Sequence, residues 1–151
     1  MEIEAIQRYS NVASLEYVPV LDVSLPDAFE TKSALVCENI EFRNMLDSYN
    51  ALACELGFQF LNSPESIKLQ EEMRKFEDLL LKNSDTNKAA IEEIHKYETS
   101  MIRNIYSYCS KNPFGTAIFM CGVAHRKSII EKLEKYNSQE EISLDWISYE
   151  S

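Results

Sequence analysis

Two histidines and three glycines occur in the 151 residues, and one of each falls in a single short motif, Gly122-Val123-Ala124-His125. The motif follows the uncharged run Thr116-Ala117-Ile118-Phe119-Met120-Cys121 and precedes Arg126-Lys127-Ser128. A glycine closing an apolar run lets the backbone turn sharply, so His125 would project from the end of that run. An imidazole so placed can bind a metal, act as a general base, or donate a hydrogen bond to a carboxylate. The plainer alternative is a polar residue that starts a helix, with Arg126 and Lys127 in solvent. Free N–H groups at that helix start, next to two cations, also favour an anion.

Three further groups could take part. Cys121 lies four residues before His125, the separation of a conceivable Cys–His nucleophile pair, although its apolar run reads as core. Asp22 could meet His125 if the segments carrying them were neighbouring parallel strands. Glu38 or Glu41 could supply a carboxylate within one chain or across a dimer. His95, in Ile94-His95-Lys96-Tyr97, reads as a helix-face residue.

Scarcity excludes much else. Three glycines, Gly57, Gly115 and Gly122, can form neither a dinucleotide fingerprint nor a phosphate loop, and two histidines this far apart cannot form HExxH. A formal charge of −10 offers no basic excess to neutralise a nucleic acid backbone. Residues 1–67 carry eleven acids against three bases, which reads as a solvated face. The four cysteines form no CxxC, the first residues do not read as a secretory signal, and no apolar run approaches the ~20 residues of a membrane span. These features suggest a cytoplasmic protein with no membrane and no nucleic acid partner.

The positioning elements follow from periodicity. Ile3, Ile6, Tyr9 and Ala13 predict a helix over 2–15, residues 17–23 a strand, and 24–34 a loop. Phe42, Met45, Leu46, Tyr49, Leu52, Ala53 and Leu56 form the stripe of a helix over 34–56, ended by Gly57, with 58–61 a short strand. Ser63-Pro64-Glu65 is a helix start in which serine caps, proline needs no donor and glutamate faces the positive dipole end. Helices over 64–82 and 86–111, joined by Asn83-Ser84-Asp85, suggest a helical hairpin. The run 116–121 predicts a strand buried on both faces, 125–136 a helix, and 141–149 a strand of alternating character. Strand, helix and strand together predict a C-terminal βαβ unit.

The pattern Arg103-Asn104, then Ala117–Cys121, Gly122 and His125-Arg126, resembles the C-terminal part of the TraB/PrgY/Tiki and ChaN/erythromycin-esterase superfamily. In that superfamily an Arg-Asn helix precedes a hydrophobic strand ending in Gly-x-x-His. The resemblance covers residues 99–135 and, loosely, the long helices before them. It implies an α/β fold and hydrolysis assisted by a metal or by histidine and glutamate. Gly122 and His125 would be site residues, Arg103 a supporting contact, and His125 a ligand if a divalent metal is bound. The superfamily's site also uses an N-terminal strand with a second Gly-x-x-His or a His/Glu pair, and no second Gly-x-x-His is present here.

The expectation is therefore one α/β domain over 1–151, with a small, mostly parallel sheet and several long helices. It would be the C-terminal portion of a larger hydrolase-like domain, not catalytically competent alone, and would associate with a second copy or a missing N-terminal segment. A hydrolase using His125 with a carboxylate, across a dimer if need be, is one alternative. An acidic helical interaction module on residues 34–56 is the other.

Overall fold

The computed structural model describes residues 16–20, 27–82, 84–137 and 141–149. Among these are five α-helices: α1 (Asp27–Cys37), α2 (Ile40–Leu61), α3 (Pro64–Leu80), α4 (Asp85–Cys109) and α5 (Arg126–Leu133). A 3₁₀ turn, Val123–His125, leads into α5. The described residues contain no strand, so the expected α/β fold, parallel sheet and βαβ unit give way to an all-helical architecture. The expected helix over 2–15 lies outside the described residues, as do residues 21–23 of the first expected strand.

Each helix start has a local cause. Asp27 and Glu30 place negative charge in the first turn of α1, where the dipole favours it, so helix replaces the expected loop. Asn39 then interrupts what composition suggested was one helix from residue 34. Its Oδ1 accepts from the backbone N–H groups of Glu41 and Phe42, both at 3.0 Å, and so starts α2 afresh. Ser63 and Ser84 cap α3 and α4 in the same way, accepting from Ser66 N at 3.1 Å and Asn87 N at 3.0 Å. Gly57 kinks α2 without ending it: with φ +63° and ψ −141° it turns the chain, and helix resumes through Leu61, where a strand was expected.

Two apolar cores organise the helices. In the first, Val36 of α1, Phe42, Tyr49 and Phe60 of α2 and Met73 of α3 are buried, with Leu69, Phe76 and Val123 packed against them. The Tyr49 hydroxyl and Ser66 Oγ, 2.8 Å apart, satisfy each other inside it. In the second, Met101, Ile102 and Tyr106 of α4 meet Ile129 of α5. The expected hairpin of α3 and α4 is therefore not a packed pair: α3 lies on α2, while α4 lies on α1 and α5. Near the connecting turn, Asn87 Nδ2 donates to Asp78 Oδ1 at 3.2 Å. Lys32 of α1 is buried there as well, its Nζ 3.0 Å from Glu77 and 3.7 Å from Asp78 of α3.

The segments expected as strands cover the second core. Val20, Phe119, Ile142 and Leu144 all pack on it, and Asn104 Nδ2 ties Val20 down by donating to its carbonyl at 3.0 Å. Apolar content predicted burial on both faces of 116–121, yet only Phe119 is half-buried there, and Ala117, Ile118, Met120 and Cys121 are exposed. A strand needs a neighbour aligned to take its N–H and C=O groups, and among the described residues no backbone hydrogen bond joins 116–121 to another segment.

Candidate functional site

The Val123–His125 turn sits where the two cores meet. Val123 packs on the first core, and the His125 ring reaches α4 of the second, where its Nδ1 lies 2.7 Å from Glu98 Oε1. The turn closes through His125 N donating to Gly122 O at 2.9 Å. Gly122 itself has φ −59° and ψ 140°, a conformation any residue adopts. A Cβ there would meet the His125 ring at 3.7 Å, an ordinary contact. The sharp turn expected at Gly122 thus does not depend on glycine. His125 occupies the N-cap position of α5, as a polar helix start would, but its side chain makes no capping hydrogen bond there.

Glu98 is the centre of the arrangement. Its side chain is 1% exposed, and both carboxylate oxygens are engaged. Oε1 faces His125, while Oε2 accepts from Ser128 Oγ and from Lys132 Nζ, each at 2.6 Å. Lys132 also donates to Ser128 Oγ at 2.7 Å, closing a ring of three polar groups. Burial alone would raise the Glu98 carboxyl. The hydrogen bonds from His125, Lys132 and Ser128 outweigh it, together with the charge of Lys132, and hold the pKa at about 2 instead of 4.5. Glu98 is therefore a permanent anion at neutral pH.

Such an anion fixes the imidazole. In the neutral ring a carboxylate at Nδ1 selects the tautomer with the proton on that nitrogen, leaving Nε2 as the acceptor. This is the orienting half of a His–carboxylate catalytic unit. Tyr97 flanks the ring with centroids 5.8 Å apart, and burial pushes its phenol up, so it stays neutral. The His125 side chain is 21% exposed.

The neighbouring cations are already committed. Arg126 donates to the carbonyls of Asn62 and Tyr149, Arg74 donates to the Ala124 carbonyl, and Lys127 pairs with Glu71. They fasten the turn to α3 and to the 142–149 segment, which leaves little of the anion site expected at Arg126 and Lys127. The Cys121 thiol is pushed up by burial and by the negative charge of Glu98, although the residue as a whole is exposed. A nucleophile needs the reverse shift.

The other expected residues are placed elsewhere. Arg103 is exposed and donates to Ser100 Oγ at 3.3 Å on its own helix, not to His125. Glu38 and Glu41 are exposed at the α1–α2 junction, and Asp22 lies outside the described residues. His95 is exposed on α4, as expected. Among the described residues no three potential ligand side chains come together around His125 or anywhere else. A catalytic zinc takes about three protein ligands, so the residues present do not fit the divalent metal that the resemblance implies.

Glu98, Ser128 and Lys132 are the residues that composition and motif reading missed. A signal for them exists. Glu98 stands four residues after Ile94 and three before Met101, within the apolar stripe of α4, where an acid must find partners. His125, Ser128 and Lys132 recur at i, i+3 and i+7, one face of a helix. No family model, no curated protein and no solved structure matches the chain.

Proposed function

We propose that this chain carries the histidine half of a hydrolytic site, with His125 as general base and Glu98 as its positioning residue. The observation that carries the reading is the 2.7 Å contact between His125 Nδ1 and a buried carboxylate that is ionised at neutral pH. Nε2 then accepts a proton from water or a hydroxyl attacking an ester-like carbonyl, and Glu98 stabilises the imidazolium that forms. The residues around His125 favour a half site over a complete one. The cations beside it are paired, Arg103 faces another way, and the Cys121 thiol is shifted away from reactivity. Turnover by the chain alone is accordingly slow.

Hydrolysis of p-nitrophenyl acetate by wild type and His125→Gln tests this reading. Wild type should release p-nitrophenolate at a rate comparable with free imidazole, and His125→Gln should lose that component. Equal rates for the two proteins would remove His125 as a base. Fast, saturable turnover by the wild-type chain would overturn the half-site reading.

A further inference from the structure

The 116–121 and 142–149 segments expose several large apolar side chains and, in the second segment, the carboxylate of Asp145. Phe119 and Trp146 meet edge to face, with centroids 6.3 Å apart, on the side facing the helices. Their neighbours face outward: Ile118 is 84% exposed, Ile147 93%, and Met120 and Tyr149 more than half. Phe58, just beyond the kink of α2, extends the surface, because its ring lies 5.3 Å from that of Tyr149. Monomeric proteins seldom expose contiguous apolar patches larger than a few hundred Å².

We infer that this face is the docking surface for a second copy of the chain, through a two-fold contact of the patch with itself. Area is the first argument. The aromatic Phe58 and Tyr149 bury ~150–250 Å² each when fully covered and the three aliphatic side chains somewhat less, so covering the exposed parts of all five removes on the order of 700 Å², near the ~800 Å² per partner of a standard interface. A two-fold contact needs only shared apolar area, which lets the patch cover its own copy. The second argument is the backbone of 116–121, which no hydrogen bond joins to another segment among the described residues. N–H and C=O groups left open among these residues suit pairing with their own copies in antiparallel order, as at an open edge.

The surface also reaches the candidate site. Gly122 follows Met120 by two residues, and Arg126, next to His125, donates to the Tyr149 carbonyl. A second copy seated on the patch would shield one flank of the His125 turn from water. The association does not rest on the hydrolytic reading, and its test involves no hydrolysis.

Sedimentation velocity over a dilution series at micromolar concentrations provides that test, on wild type, Ile118→Lys, Ile147→Lys and Leu79→Lys. Leu79 is an exposed leucine on α3, outside the patch. Wild type and Leu79→Lys should sediment with twice the chain mass and dissociate on dilution, whereas the two patch variants should remain single chains with unchanged far-ultraviolet dichroism. A wild type that sediments as a single chain throughout, or patch variants that dimerise like wild type, would overturn the inference.

Discussion

Replacing Glu98 with glutamine removes one charge from the centre of the site and keeps its shape. In the folded protein the carboxyl titrates near 2 instead of 4.5. A group with a depressed folded pKa adds stability that is present above the unfolded value and is lost as pH falls towards the folded one. The shift corresponds to about 3 kcal/mol at neutral pH, since each unit is worth ~1.4 kcal/mol. Most of this is still present at pH 4.5, about 1 kcal/mol has gone by pH 3.5, and the rest is lost towards pH 2. Glu98→Gln has no such titration. It also leaves Lys132, 18% exposed, and His125 without their counter-charge, at a cost of about 3 kcal/mol, the lower end for breaking a buried pair. Urea unfolding can be followed by the fluorescence of Trp146, the one tryptophan, which packs on Tyr106 and Phe119. Wild type should exceed Glu98→Gln by about 3 kcal/mol at pH 7, and the gap should narrow by about 1 kcal/mol at pH 3.5. The other carboxylates titrate alike in both proteins and cancel. A gap that does not change with pH, or no gap at pH 7, would refute the reasoning.

Two glycines should respond in opposite ways to alanine. Gly57→Ala forces a side chain into a positive-φ conformation with no clash to relieve, so thermal unfolding should show a loss of about 1–3 kcal/mol. Gly122→Ala, in an ordinary conformation with one 3.7 Å contact to the His125 ring, should change stability by less than ~1 kcal/mol; a larger loss would mean that the turn does need glycine. Tyr49→Phe strands the buried Ser66 hydroxyl, and chemical denaturation should register about 1–2 kcal/mol. Ser66→Ala in the same background should restore part of it, because the orphaned hydroxyl is then gone.

The helices were legible in the sequence where capping and stripe agreed. Ser63-Pro64-Glu65 and Ser84-Asp85 start α3 and α4 within a residue of where they were expected. Where the helix signal was weaker, the reading failed. Residues 27–34 look polar enough for a loop, yet their few inward groups, Lys32 and Val36 of α1, suffice to dock it. The break at Asn39 was hidden because the stripe that marks α2 begins only at Phe42, so nothing in the pattern separated residues 34–38 from it. The strand expected over 116–121 failed for another reason: an apolar run does not report that a neighbouring backbone pairs with it, and of this run only Phe119 is even half-buried. Phe119, Ile142 and Leu144 found their cover on α4 and α5. At the site, Gly122-x-x-His125 led to the histidine but not to its partner. The carboxylates considered for it lay in the N-terminal part, while Glu98 stood one residue beyond Tyr97 on a helix already recognised.

The account depends on Glu98 holding the His125 ring with its proton on Nδ1 and its lone pair on Nε2. Long-range proton–nitrogen correlation spectra of the two histidines, recorded at alkaline pH, read that arrangement directly. His125 should show a protonated Nδ1 and a bare Nε2, while exposed His95 shows the average of a free imidazole, and Glu98→Gln should move His125 towards that average. A His125 with its proton on Nε2, or with the averaged pattern of His95 in the wild-type chain, would contradict the account.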